Sequence, residues 1–433
     1  VHHNTIEIED PQTPFATSFW ADSQARGVYK GDAGGIDTPA TVDTVIQSPW
    51  MEGIIASETI TDLIDDDWST KNTLTSPIQY TRTILYPEDD YFVIFDRLEG
   101  DEEWIYRNVF RPSSLTISPT NDKNGDKKYV ESEIGHVKGS LTINDNSYDW
   151  LSLPYKRETK TGITANSVSW ETINPYRKPV RLNIFSVPAS EIIITKHVGR
   201  IAGYAAASEV FSPVLYLRNS PAEELCRITV LISGYLNEME KKTEELPVTG
   251  NGNAIRVSSS ANTDTIYSGK GDASFDIFKT DAGTVFFRQP KNSADYYCMM
   301  SGGTYLRKNG DDLISISKTD AGMEITVNIP KNNVEQITRD GTPYTDFKET
   351  AGGSAVKIFS DKTSSAFDIH SKKQTAHIIL SDEGGSSGPS RTVTPTGIIR
   401  DRYPAEQNAG NFTFSLISGC IILILTSWYI RRE

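Results

Sequence analysis

Histidines, a basic segment and acidic loops are the groups in this chain that could do chemistry. His2-His3-Asn4-Thr5 stands directly before the run IEIED. Histidine carries protons near neutral pH and is a common zinc ligand, so His3 is a candidate metal ligand. A solvated chain end accounts for the same residues. The other four histidines, His136, His197, His370 and His377, are scattered. His370 and His377 flank a turn and could face each other across a hairpin. With no third ligand or carboxylate partner evident, they read as surface residues.

Residues 151–200 hold eight basic and three acidic side chains, a local charge of +5 in a chain whose formal net charge is −14. Trp170 and Tyr176 lie among them, beside Arg177, Lys178 and Arg181. Aromatic platforms next to cations suit acidic sugars; a solvated, charged sheet face is the plainer reading. Asp62, Asp65, Asp66 and Asp67 fall in one expected loop, and Glu88, Asp89 and Asp90 in another. Calcium takes loop carboxylates, but the EF-hand glycine and terminal glutamate are missing, so exposed acidic loops are expected. Neither GxxxxGK[ST], nor GxGxxG after a strand, nor GxSxG occurs.

The elements that must position these groups read as β. Short runs of Ile, Val, Thr, Tyr and Phe are cut by Gly, Asn, Asp and Pro, the pattern of many strands joined by tight turns. One hairpin is expected over Ile78–Arg97 with its turn at 87–90, another pairing 141–144 with 148–151. A strand at 192–195 should turn near Gly199. Ser220-Pro221-Ala222-Glu223 resembles a helix start, but CRITVLIS follows, so a single helical turn is expected there. GDASFDIFKTDAGTVFF from Gly271 and GDDLISISKTDAGMEIT from Gly310 align at an offset of 39 residues, with a fainter copy from Ser364. Each reads as strand–turn–strand. The charged and Pro/Gly/Asn-rich stretch ending near 253 marks a boundary.

The acidic balance excludes general nucleic-acid binding, which needs a basic footprint. Of three cysteines, Cys226 and Cys298 could pair or stay free; Cys420 lies in an apolar run. That run, 412–430, has 19 residues without a charge, then Arg431 and Arg432. It is long enough to span a bilayer, with Trp428 and Tyr429 as an interfacial belt and the arginines on the cytoplasmic side. Residues 382–411 read as a flexible stalk. The expected organisation is a large β-sandwich at 1–248, a smaller β-domain at 249–381, the stalk, a transmembrane helix at 412–430 and a cytoplasmic tail at 431–433. The tail could equally be a sorting signal that is cleaved.

His-Asn-Thr before a strand, Tyr80-Thr81-Arg82, Asp96-Arg97, Trp104-Ile105-Tyr106-Arg107 and Asn262-Thr263-Asp264-Thr265 follow in an order that resembles the heparinase II/III-like polysaccharide lyases. The resemblance covers residues 2 to 330. It implies an all-β fold: a large antiparallel β-supersandwich followed by a smaller β-module, with the C-terminal membrane helix beyond. It implies zinc in the full-length parent, with His3 as one ligand. The family's His-x-His partners are absent, so no cofactor is expected in this chain alone. It also implies a missing N-terminal α-toroid that holds the bases for β-elimination. This chain then reads as an inactive C-terminal portion of a cell-surface, membrane-anchored protein, starting at Val1, that acts on or binds an acidic polysaccharide. Trp170, Tyr176, Arg177, Lys178 and Arg181 are the candidate sugar contacts. The alternatives are a non-catalytic structural, adhesive or envelope-layer protein, or a carbohydrate-binding module.

Overall fold

The computed structural model describes residues 6–12, 18–21, 41–64, 71–88, 90–110, 117–118, 138–150, 152–153, 158–173, 179–200, 209–236, 240–319, 322–329, 333–350, 353–360 and 364–381. No α-helix occurs among them, and the chain is all-β there. The expected stalk, membrane helix and tail, with Trp428, Tyr429, Arg431 and Arg432, lie outside the described residues, as does His3. No described helix is long and apolar enough to cross a membrane.

The chain enters one sheet through β1 (Ile6–Glu9), β2 (Ser18–Ala21), β3 (Thr41–Ser48), β4 (Met51–Ile64), β5 (Lys71–Pro87), β6 (Phe92–Phe110) and β7 (Ile117–Ser118). It completes that sheet with β8 (Lys138–Ile143), β9 (Asn146–Tyr148), β10 (Thr159–Ile173), β11 (Val180–Arg200), β12 (Glu209–Arg218) and β13 (Ala222–Tyr235). Among the described residues the 13 strands pair antiparallel, in the order β1-β2-β4-β5-β6-β12-β11-β10-β8-β9, with β13 bonded to both β6 and β11. β11 changes partner along its length. β11 pairs with β13 through Val187 and with β12 from Glu191. Pro188 sits in that gap, where its missing N–H costs no ladder bond.

The second sheet holds β14 (Lys242–Leu246), β15 (Val248–Ser258), β16 (Asn262–Phe275), β17 (Phe278–Thr280), β18 (Thr284–Pro290), β19 (Tyr296–Ser301), β20 (Tyr305–Lys308) and β21 (Asp311–Thr319). It continues with β22 (Gly322–Val327), β23 (Val334–Arg339), β24 (Thr342–Pro343), β25 (Phe347–Glu349), β26 (Val356–Ser360), β27 (Ser364–Ser371) and β28 (Thr375–Ser381). Pairing is antiparallel except between β19 and β28. β22 shows why these are strands: its side chains alternate, with Met323, Ile325 and Val327 entering the core of this sheet.

The two sheets pack on each other through a shared core. Val93, Phe95, Ile228, Val230 and Ile232 from the first meet Ile255, Ile266, Phe286, Met299 and Ile379 from the second. The passage between sheets falls after Tyr235 and before Lys242. β14 and β15 pair from Leu246 opposite Ala254, and Val248, which opens β15, pairs with Phe275 of β16 in the second sheet.

Local expectations fared unevenly. β5 and β6 form the hairpin at 87–90. β8 and β9 form the second, turning at Asn144 and Asp145, both with positive φ. β11 runs straight through Gly199 to Arg200, so the turn expected near Gly199 is not there. No helical turn forms at 220–223. Ala222 already belongs to β13, which is buried on both faces between the shared core and the core of the first sheet. Burial on both faces is what turns such a strand into the near-continuous apolar run CRITVLIS. The repeat copies differ: β21–β22 and β27–β28 are hairpins, whereas Lys279-Thr280 belongs to β17, which pairs with β20.

Candidate functional site

Of the residues that carry the family resemblance, Tyr80, Arg82, Asp96 and Asp264 go into two buried ion networks. In the first sheet, Arg82, Asp96 and Arg227 stand in one cross-strand row over β5, β6 and β13. Asp96 accepts from Tyr80 Oη at 2.9 Å, Arg82 Nε at 2.6 Å and Asn108 Nδ2 at 2.5 Å. Arg227 donates to Asn108 Oδ1, to the Leu217 carbonyl at 2.8 Å and to Ser190 Oγ at 2.9 Å. Burial pulls Arg227 down to about 10, so it stays charged at neutral pH. Burial also lifts the Tyr80 phenol well above its ordinary value, which disfavours a phenolate base.

Beside this lies Arg107, over the Tyr216 ring at 4.2 Å, with Glu158 at 2.7 Å and Glu7 at 3.7 Å. Arg218 clasps both oxygens of Glu9 at 3.0 Å and reaches Glu191 at 3.0 Å. These bonds tie β1 to β6 and β12.

The second network joins the sheets. Arg288 on β18 bonds Asp264 on β16 and Glu88 in the β5–β6 turn. Tyr91 Oη also donates to Asp264. Asp90 takes Lys241 at 2.6 Å, from the segment linking the sheets. Burial acts to lower Arg288, but its bonds to Asp264 outweigh that and raise it. Glu88 and Asp90 are therefore ion-paired.

Beyond Arg288 the same row crosses four more strands. Arg288 pairs with Tyr297, Tyr297 with His377, His377 with Asp368 and Asp368 with Thr338. His377 Nδ1 lies 2.8 Å from Asp368 Oδ1, and Thr338 Oγ1 donates to Asp368 Oδ2 at 3.2 Å. His377 stacks on Tyr297 at 4.4 Å, and Trp50 from the first sheet meets Tyr297 edge-on at 5.3 Å. His370 stands perpendicular to His377, ring centres 6.3 Å apart. The hydrogen bond from His377 holds Asp368 below its ordinary value, against the opposing pull of burial. Burial, then the charges of Glu88 and Asp295, push Tyr297 up. This rim is partly open, with His377 20% and Asp368 26% exposed. The expectation that the two histidines lack a carboxylate partner is corrected: His377 has one.

The candidate sugar contacts are not brought together as a surface. Trp170 is 3% exposed and packs edge-on against Trp150 at 5.2 Å. It is a core residue, and an exposed platform at that position is corrected. Arg181 is half-buried and bonded to Glu171 at 2.7 Å. Tyr176, Arg177 and Lys178 lie between β10 and β11, outside the described residues. Cys226 and Cys298 are not joined in a disulfide. Among the described residues no group of three or more His, Cys, Asp and Glu is placed to hold a metal ion.

No family model and no curated protein matches the sequence. Among solved structures, the chain is similar to heparinase III, with 12% identity and a TM-score of 0.30 over 53% of this chain and 27% of that one. It is similar to the heparan sulfate lyase HepC from Pedobacter heparinus, with 12% identity and a TM-score of 0.27 over 51% and 26%. It is also similar to a Paenibacillus xanthan lyase, with 8% identity and a TM-score of 0.35 over 76% and 36%. The chain thus spans roughly a quarter to a third of each of these neighbours.

Proposed function

We propose that this chain is the non-catalytic β-sandwich portion of a membrane-anchored cell-surface protein, and that the β10–β11 hairpin engages an acidic polysaccharide. The supporting observation is a charge accounting. Of the three acids in the basic segment, Glu158 and Glu191 are bonded to Arg107 and Arg218, which come from outside it. Those two acids are thus matched by cations from outside the segment, and the third, Glu171, is bonded to Arg181. Long-range attraction of a polyanion follows from such a local excess even on an acidic protein.

β-Elimination needs a base within hydrogen-bond reach of the proton beside a carboxylate, and a group that neutralises that carboxylate. Tyr80, Arg82 and Asp96 are bonded to one another and Arg107 to Glu158 inside the first sheet, so in this proposal these motif residues have a structural and not a catalytic role. The test is affinity of the purified chain for a galacturonate oligomer, with an uncharged oligosaccharide as control. Binding that weakens in Arg177→Ala and Lys178→Ala and with added salt is expected, without formation of unsaturated uronate. Unsaturated product would overturn the non-catalytic reading, and absence of binding the polysaccharide reading.

A second reading, a purely structural surface protein, is favoured by the same burial of the motif residues. Failure to bind any glycan would select it.

A further inference from the structure

We propose that the rim around His377 is a subsite for an uncharged, hydroxyl-bearing sugar unit. This rests on the polysaccharide reading above and adds a sugar class that a basic hairpin would not select.

The inward face of the second sheet changes character within one step along three adjacent strands. Met299, Ile379 and Ala366 face each other in register, and all three belong to or pack on the shared core. The next row outward is Tyr297, His377 and Asp368, followed by Thr375 opposite His370. Gln336 pairs with His370 from the neighbouring strand and is exposed. The face therefore runs out of the apolar core onto a ledge of imidazole, carboxylate, hydroxyl and amide groups.

These side chains are held before any ligand arrives. Asp368 is bonded on one side by His377 and on the other by Thr338, while Tyr297, itself met edge-on by Trp50, stacks on the imidazole. Fixed polar groups lose little conformational entropy on binding. Nδ1 of His377 is committed to Asp368, which leaves the other ring nitrogen to meet a ligand hydroxyl.

Charge decides the sugar class. In the adjoining network Glu88, Asp90 and Asp264 are matched by Arg288 and Lys241; the ledge itself carries Asp368 and, bonded to the Thr375 N–H, Asp295, with Lys372 and Lys373 exposed in the turn beyond. A uronate or sulfated unit laid on the ledge would come against the Asp368 and Asp295 carboxylates, whereas a neutral ring meets donors and acceptors for its hydroxyls.

The experiment titrates the full chain, by calorimetry and by histidine ring NMR signals, with a short neutral β-linked glucan oligosaccharide and with a galacturonate oligomer. The neutral sugar should bind, shift the His370 and His377 signals, and lose about tenfold in affinity in His377→Ala and in the exposed variant Gln336→Ala. Neutral-sugar binding that survives both variants, no binding of the neutral sugar by the folded chain, or equal binding of galacturonate at these histidines would each overturn the proposal. Galacturonate binding that depends on Arg177 and Lys178 but not on His377 would leave the polysaccharide reading intact.

Discussion

Arg288 and Asp264 stand directly opposite each other on β18 and β16 and share two hydrogen bonds, Nε to Oδ1 at 2.8 Å and Nη2 to Oδ2 at 2.7 Å. Both are almost wholly buried, and Glu88 and Tyr91 attach the first sheet to the same pair. Removing one partner of a buried pair leaves a charge without compensation and costs about 3–5 kcal/mol. Asp264→Ala should lower stability by that order in urea unfolding. The double variant Asp264→Ala with Arg288→Met should recover part of the loss, because the orphaned cation is gone. A double variant no better than the single one would show that the cost lies in packing.

Asp96 should behave differently from a catalytic acid. It is completely buried and accepts from three side chains. Asp96→Asn keeps the shape but removes the charge that balances Arg82, so a loss of about 3 kcal/mol is expected. Glycan affinity of the folded fraction should not change. A folded variant with lost glycan binding would place Asp96 in the site.

The all-β fold was legible because alternation and turn residues act locally. Pairing across distant strands was not. The hairpin near His370 was visible, but its centre decides the chemistry. The turn is closed by Ser371 and Gln374, whose backbone and hydroxyl groups bond each other. That register sets His377 opposite Asp368 and His370 opposite Thr375. A shift of the pairing would have set the histidines against each other, the arrangement the spacing first suggests. Trp170 was misread despite a local signal: Val168 and Trp170 alternate with Ser169 and Glu171, and the apolar pair is the one inside.

Gly269 should tolerate no side chain. It pairs with Gly252, and a Cβ at 269 would lie 2.1 Å from the Tyr267 hydroxyl and 2.2 Å from the Asn251 carbonyl. The Tyr267 ring lies along its own strand and donates to that carbonyl at 3.1 Å. Gly269→Ala should therefore displace Tyr267 and destabilise by about 1–3 kcal/mol. Thermal unfolding of this variant beside Gly271→Ala gives an internal control, since nothing lies near a Cβ at 271 and only its positive φ opposes the change.

The thiols should separate by reactivity. Burial pushes Cys298 up to about 12, and it is fully enclosed in the second sheet. Cys226 is only half-buried. The thiolate is the reactive form, so alkylation of the native protein followed by peptide mapping should modify Cys226 and spare Cys298 until denaturant is added. Native modification of Cys298 would mean that the second sheet opens locally.

Acid sensitivity should trace in part to Asp368. Its ordinary value is 3.8, and in the folded protein the His377 bond, the largest cause, holds it lower. The unfolded chain therefore binds the proton more readily, and stability rises with pH across that interval. The contribution is complete above the unfolded value, near pH 4 and higher, and fades as pH falls through the folded one. Asp368→Asn abolishes the titration, so the stability gap between the two proteins should be widest above pH 4 and close in stronger acid. Because Asp368 is partly exposed, solvent screening keeps the gap small. A gap that instead widened as the pH fell would mean that the carboxyl is favoured in its neutral form, and the His377 bond could not then be the charge-stabilising contact its geometry describes.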